Sequence, residues 1–316
     1  MTATLTATGT TPAGTTPRGP RGLVWSVLRV HRTALVLWGL ALTAATAGLI
    51  WMYVIADEAR RAYLPCSEPV AADGYPSCSS LDAITADDYY STGIALLTSA
   101  LTFAIFPVAA WAGGALIGRE LESGTALLAW TQSVSPVRWL AAKLAVPAVL
   151  LAAGTGALVL LNRWAQTDGN PNVVGDWYGP DVFVGIGPAA VGYVLAGLAL
   201  GALAGLLVRR TLPAAGAGFA SSLVLYLVLD HFRKDLWPKA DRSQAGELEL
   251  PRSAWQVDWN ATWGRYPGEG TPRFTSATFH PRSHFWPLQL VETGILLAVA
   301  ATATLAAFWL LRRRTP

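Results

Sequence analysis

Apolar residues along this 316-residue chain gather into six long runs separated by polar segments. They lie near Ala34–Ile55, Thr92–Ile117, Trp139–Leu161, Phe183–Val208, Leu212–Leu229 and Leu288–Leu311. A helix needs about 20 mostly apolar residues to cross a bilayer core. The pattern therefore predicts an all-α membrane protein with six transmembrane helices. Only Arg209, Arg210 and Thr211 separate the fourth run from the fifth, which predicts a tight helical hairpin. Pro107 and Pro147 fall inside runs, where bilayer helices tolerate proline if neighbouring helices re-satisfy the backbone. Residues 1–21, rich in Thr, Gly and Pro and without apolar period, read as a disordered tail. They do not read as a signal peptide, because the first apolar run starts late and is long enough to span.

Composition strengthens the membrane reading. Hydrophobic residues make up 53% of the chain and charged ones only 14%, against about 25% charged in soluble domains. The 14 tryptophans suit membrane interfaces. A net charge of +3 is too small to argue for a nucleic-acid partner, so placement matters more than the sum. Arg18, Arg21, Arg29 and Arg32, then Arg119, Arg138 and Lys143, then Arg209 and Arg210, then Arg312, Arg313 and Arg314 all fall on one side of the six runs. The short segments opposite hold only Arg60, Arg61 and Arg163. Basic residues favour the cytoplasm, so both termini are expected there. Acidic residues cluster outside, apart from Glu120 and Glu122 in the inner loop at 118–138.

Two outer loops stand out, 56–91 and 230–287. The first holds the only cysteines, Cys66 and Cys78, which are expected as a disulfide outside the cell; two free thiols are the alternative. The bond would close a loop of about 13 residues and contribute roughly 3 kcal/mol in the chain-entropy model. The second loop carries Trp237, Trp255, Trp259, Trp263 and Trp286. It reads as a compact cap at the lipid headgroups or as a gate over a substrate exit.

Catalytic patterns are missing. There is no phosphate-binding glycine loop and no His-Glu-x-x-His pair, and no Gly-x-Ser-x-Gly elbow. His280 and His284 are four apart, but Pro281 between them argues against a metal site. No catalytic residue, cofactor or metal is expected. The runs are nearly free of ionisable groups, with Arg163, Asp230 and Glu292 only at their edges, so ion-coupled transport is poorly supported. Gly197, Gly201 and Gly205 recur every four residues and form a ridge for close helix packing, within one chain or across a dimer seam.

The stretch Arg119-Glu120-Leu121-Glu122-Ser123-Gly124-Thr125 resembles the Arg-Glu-x-Glu-x-Gly-Thr signature of ABC-2 type permeases, the membrane subunits of ATP-binding-cassette exporters. Ala129–Val134 and Arg138–Leu144 are similar to a large actinobacterial branch of that family. Arg209–Ala214 resembles its fourth-to-fifth span junction, and Phe279–Gly294 its approach to the last span. The resemblance runs from about residue 22 to 312 and makes 34–316 a six-span permease domain.

It implies that a separate cytoplasmic phosphate-loop ATPase hydrolyses ATP, that a second permease subunit completes the path, and that the 118–138 loop couples the two. Arg119, Glu120, Glu122, Gly124 and Thr125 are then the expected coupling residues. The glutamates would meet basic groups of the ATPase or pair internally with Arg119 or Arg138. Gly124 is expected at a bend, and Thr125 as a cap of the turn after it. By the same analogy residues 22–33 form an amphipathic interfacial helix; a plain basic anchor is the alternative. The expected activity is outward movement of a hydrophobic or amphipathic cargo at the plasma membrane. A membrane anchor or sensor without transport, and a membrane-bound enzyme, are the competing classes.

Overall fold

A computed structural model describes residues 21–61, 81–132, 134–166, 176–263 and 272–314. Cys66 and Cys78, and nearly all of the predicted N-terminal tail, lie outside them. A short helix α1 (Arg21–Val30) precedes α2 (Arg32–Arg61). Next come α3 (Leu81–Phe103), α4 (Ile105–Trp111), a π-helical segment (Ala112–Gly118) and α5 (Arg119–Glu122). α6 (Thr125–Thr131) and α7 (Pro136–Ala165) follow. The second half contains α8 (Pro180–Gly185), α9 (Ala189–Val208), α10 (Thr211–Phe232) and α11 (Phe285–Arg314).

Six helical stretches are long and apolar enough to cross a membrane: Arg32–Ala59, Thr85–Glu122, Pro136–Ala165, Ala189–Val208, Thr211–Asp235 and Arg282–Arg314. Each contains or overlaps one of the six apolar runs. The chain is a multi-pass membrane protein. α9 is the central helix, with 67% of its apolar window buried, whereas the figure for α2 is 6%. Helix α9 can sit there because its glycine ridge removes side chains where backbones meet. A Cβ on Gly201 would lie 2.2 Å from the Ala109 carbonyl oxygen, one on Gly197 2.8 Å from that of Ile105, and one on Gly205 2.8 Å from that of Gly113. The ridge thus packs inside the chain, against α4 and the π segment. From the other side Gly113 meets α10, where its Cβ would stand 2.5 Å from the Ala214 oxygen.

Two predicted spans are less regular than their hydropathy suggests. The second breaks at Ala104 and then widens: the Arg119 amide donates five residues back to Gly114 O, the mark of a π turn. The fourth is interrupted after α8, where Gly187 lies too close to the Gln289 amide for any side chain to fit. Gln289 Oε1 accepts from the Ala189 amide at 3.1 Å and its Nε2 donates to Phe183 O, so one side chain of α11 satisfies backbone groups at the break.

The 230–287 segment is partly β. Strands β1 (Ala240–Ala245), β2 (Trp255–Thr262) and β3 (Phe274–His280) form an antiparallel sheet in the order β1-β3-β2, with Ala240 opposite Phe279 and Trp255 opposite His280. The sheet is tied to the bundle through aromatic rings. Trp177 donates to Ser253 O at 2.7 Å and packs edge-on against Trp255 and Phe285. The end holding α1, α5, α6, the α9–α10 turn and the last turn of α11 is termed the inner end; the sheet marks the outer end.

Candidate functional site

At the inner end the chain makes two short helices at a bend. Gly124 has φ 74°, the left-handed region that glycine enters without a Cβ clash, so it marks the joint between α5 and α6. Thr125 Oγ1 donates to Glu120 O at 3.3 Å and lies 3.0 Å from Ser123 Oγ. α7 then starts cleanly: Pro136 takes its first turn and Ser135 Oγ accepts from the Arg138 amide at 3.4 Å.

Glu120 and Glu122 are two residues apart on a helix, which turns them to opposite sides. Glu120 faces α7. Its Oε2 accepts from Trp139 Nε1 at 3.1 Å, and its Oε1 pairs with Lys143 Nζ. Lys143 is buried and also donates to Leu116 O and to His31 Nε2, each at 3.1 Å. Glu122 faces α10, where its Oε2 accepts from both the amide and the hydroxyl of Thr211. A carboxylate there satisfies an unpaired N–H of the α10 first turn and meets the positive end of its dipole. Each carboxylate thus ties α5 to the inner end of a different span.

The internal partners differ from those expected. Arg119 and Arg138 remain exposed, and Lys143 takes the place either would have held. Trp139 and Lys143 stand at i and i+4, so their shared helix face was a legible sign of a joint role. His31, between α1 and α2, receives its bond from an ammonium, so Nε2 is the acceptor and the ring proton sits on Nδ1. Burial, reinforced by Lys143, pushes its pKa down from 6.5 to about 4, so the ring stays neutral near pH 7.

A second polar centre lies at the outer end. Arg233 and Glu292 are both buried; Arg233 Nε donates to Glu292 Oε2 at 2.8 Å and Nη2 to Oε1 at 3.2 Å. Tyr193 donates its hydroxyl to Glu292 Oε1 at 2.7 Å, and Asp230 Oδ1 accepts from Arg233 Nη1 at 2.8 Å. The guanidinium also stacks over Phe183, 4.7 Å from the ring centroid. This network joins α9, α10 and α11. Arg233 was missed because it follows the apolar run and reads as a loop cation.

His280 and His284 bring their Nδ1 atoms within 3.0 Å of each other, and His280 Nε2 donates to Lys234 O at 2.9 Å. Burial lowers the His280 pKa. Among the described residues no group of three or more His, Cys, Asp or Glu side chains could hold a metal ion.

Comparison with known families matches residues 35–233 to the family described as ABC-2 membrane transporter related. No curated protein and no solved structure matches the chain. The matched segment holds all or nearly all of five of the six candidate spans, both latched glutamates and the glycine ridge, and it covers well over half the sequence. The chain belongs to the ABC-2 membrane transporter related family.

Proposed function

We propose that the chain is the permease subunit of an ATP-driven exporter, with its inner end in the cytoplasm and its bundle in the plasma membrane. A separate phosphate-loop ATPase hydrolyses ATP and docks on α5–α6, and a second permease subunit, identical or not, completes the path. The cargo is hydrophobic or amphipathic, in keeping with spans whose buried charges are confined to their ends. The observation that carries this reading is the pair of latches: Glu120 bonded to α7 and Glu122 bonded to α10. A push on α5 reaches two spans as a rigid-body displacement, because short charge-assisted bonds resist stretching more than apolar contacts resist sliding. In this mechanism the glutamates position and transmit; the exposed faces of α5 and α6, with Arg119 and Leu128, meet the ATPase.

The test is reconstitution of the full chain with a co-expressed phosphate-loop ATPase in vesicles, followed by ATP-dependent movement of a fluorescent amphiphile. Glu120→Ala and Glu122→Ala together, which remove both acceptors, should leave the complex assembled and its ATPase active while transport falls at least tenfold. Full transport by that double variant would defeat the latch mechanism. A complex that hydrolyses ATP but moves no amphiphile, even with the native chain, would favour a sensor or anchor.

A further inference from the structure

A cavity of about 220 Å³ opens at the inner end between the α5–α6 bend, the end of α9 and the last turns of α11. Leu127, Leu206 and Leu310 line its walls, with Trp130, Arg209 and Arg314 supplying its polar groups. Three independent features converge on it. First, Trp130 Nε1 is buried without any hydrogen-bond partner, and an orphaned buried donor in a folded protein calls for an acceptor. The ring is held in place edge-on by Trp139, at 5.6 Å between centroids. Second, Arg209 ends α9 with φ 57°, the sole non-glycine residue with positive φ among those described. Glycine would adopt that backbone without strain, so keeping arginine there points to a use for its guanidinium. Third, Arg314 Nη1 is fixed on Leu206 O at 2.8 Å, which leaves its other N–H groups for a ligand.

No carboxylate is among the described residues that line the cavity. The nearby acids are occupied, Glu120 by Lys143 and Trp139 and Glu122 by Thr211. Two guanidinium groups and an indole N–H on a leucine floor, at the inner ends of membrane-spanning helices, suit one chemistry: a phosphodiester whose alkyl chains continue into the bilayer. Basic pockets between helix ends on the cytoplasmic side bind such headgroups. The volume is below the 300–1,000 Å³ usual for small-molecule pockets, and it fits a phosphate with its glycerol. We infer that this cavity is a binding site for the headgroup of an anionic phospholipid of the inner leaflet, held by Arg209, Arg314 and Trp130. The site is separate from the latches, but Trp130 touches Trp139, so the lipid rests against the same corner that Glu120 holds.

Retention of phosphatidylglycerol and of phosphatidylcholine by the full-length chain in mild detergent, read by native mass spectrometry, tests the inference. Phosphatidylglycerol should be retained in preference. Arg209→Gly combined with Arg314→Gln should weaken its retention roughly 30-fold, from about 1 kcal/mol per arginine, and leave phosphatidylcholine unchanged. Arg209→Gly also keeps the backbone conformation, so a folding defect is not expected there. Trp130→Phe should weaken retention about fivefold, the loss of one neutral hydrogen bond. Equal losses in Arg210→Ala and Arg313→Ala would mean a diffuse basic surface and overturn the site. Displacement of the lipid by inorganic phosphate as readily as by phosphatidylglycerol would overturn the lipid assignment. Unchanged lipid retention in the double variant, with association of a co-expressed ATPase lost, would hand the cavity to a protein partner.

Discussion

The two polar centres of this bundle use similar atoms differently. At the outer end Glu292 and Arg233 have side chains 0% and 2% exposed, and Tyr193 and Asp230 take up further valences. At the inner end Glu120 is 19% exposed and Glu122 lies on the surface, each serving one junction. A buried charge network is costly to separate because every partner would be left uncompensated in low dielectric. The exposed Glu122 carboxylate can trade its partner for water at little cost, whereas Glu120 is held by a buried Lys143. The outer end is therefore a fully buried clamp, and the inner end a pair of more exposed junctions.

That contrast can be broken experimentally. The largest effect is expected at the clamp: Glu292→Ala leaves buried Arg233 with Asp230 as its one carboxylate and Tyr193 without its acceptor, and should cost about 3–5 kcal/mol, seen as a lower thermal unfolding temperature in detergent. Replacing its three buried members with apolar residues (Arg233→Met, Glu292→Leu and Tyr193→Phe together) should recover most of it, since Asp230 is exposed enough to be solvated. Next comes the glycine seam that supports both ends. Gly201→Val drives its Cβ into the Ala109 carbonyl and should cost at least about 1–3 kcal/mol, whereas Gly216→Ala, with nothing within 4 Å, should be neutral or slightly stabilising. Glu120→Gln should cost about 1–2 kcal/mol, because Lys143 keeps Leu116 O and His31. A smaller effect follows from His31. Its folded pKa of about 4 lies below the unfolded 6.5, so the unfolded chain binds the proton more readily between them. Its contribution is present above about pH 6.5 and is lost as pH falls toward 4; His31→Gln should flatten that part of a pH–stability curve. The smallest change in stability should come from Glu122→Gln, which still leaves an acceptor for Thr211.

The six helices were legible because a bilayer demands long apolar runs and little else competes with that signal. The signature around Glu120 was also legible, as was the bend at Gly124, which only a left-handed backbone needed to explain. The carboxylates' partners were not. Lys143 reads as one more inward cation, and its meeting with Glu120 depends on how α5 is turned. Arg233 hides in the same way, since a cation just past an apolar run is normally solvated. The sheet escaped notice for a different reason: β1 reads ADRSQA, with no apolar alternation, and only its pairing with β3 makes it a strand. The break before α9 depends on Gln289, about a hundred residues away, which no local pattern could announce.

The widened turn between Ala112 and Gly118 sets the angular phase of everything after it. Each residue in an α-helix advances the side chain by about 100°, and a turn closed by five-residue bonds holds roughly one residue more than usual. Without that extra residue α5 would present its carboxylates about a quarter of a revolution away from α7 and α10. The glycines at 113, 114 and 118 keep this turn against its neighbours, so residues that never touch either latch determine the direction in which both latches face.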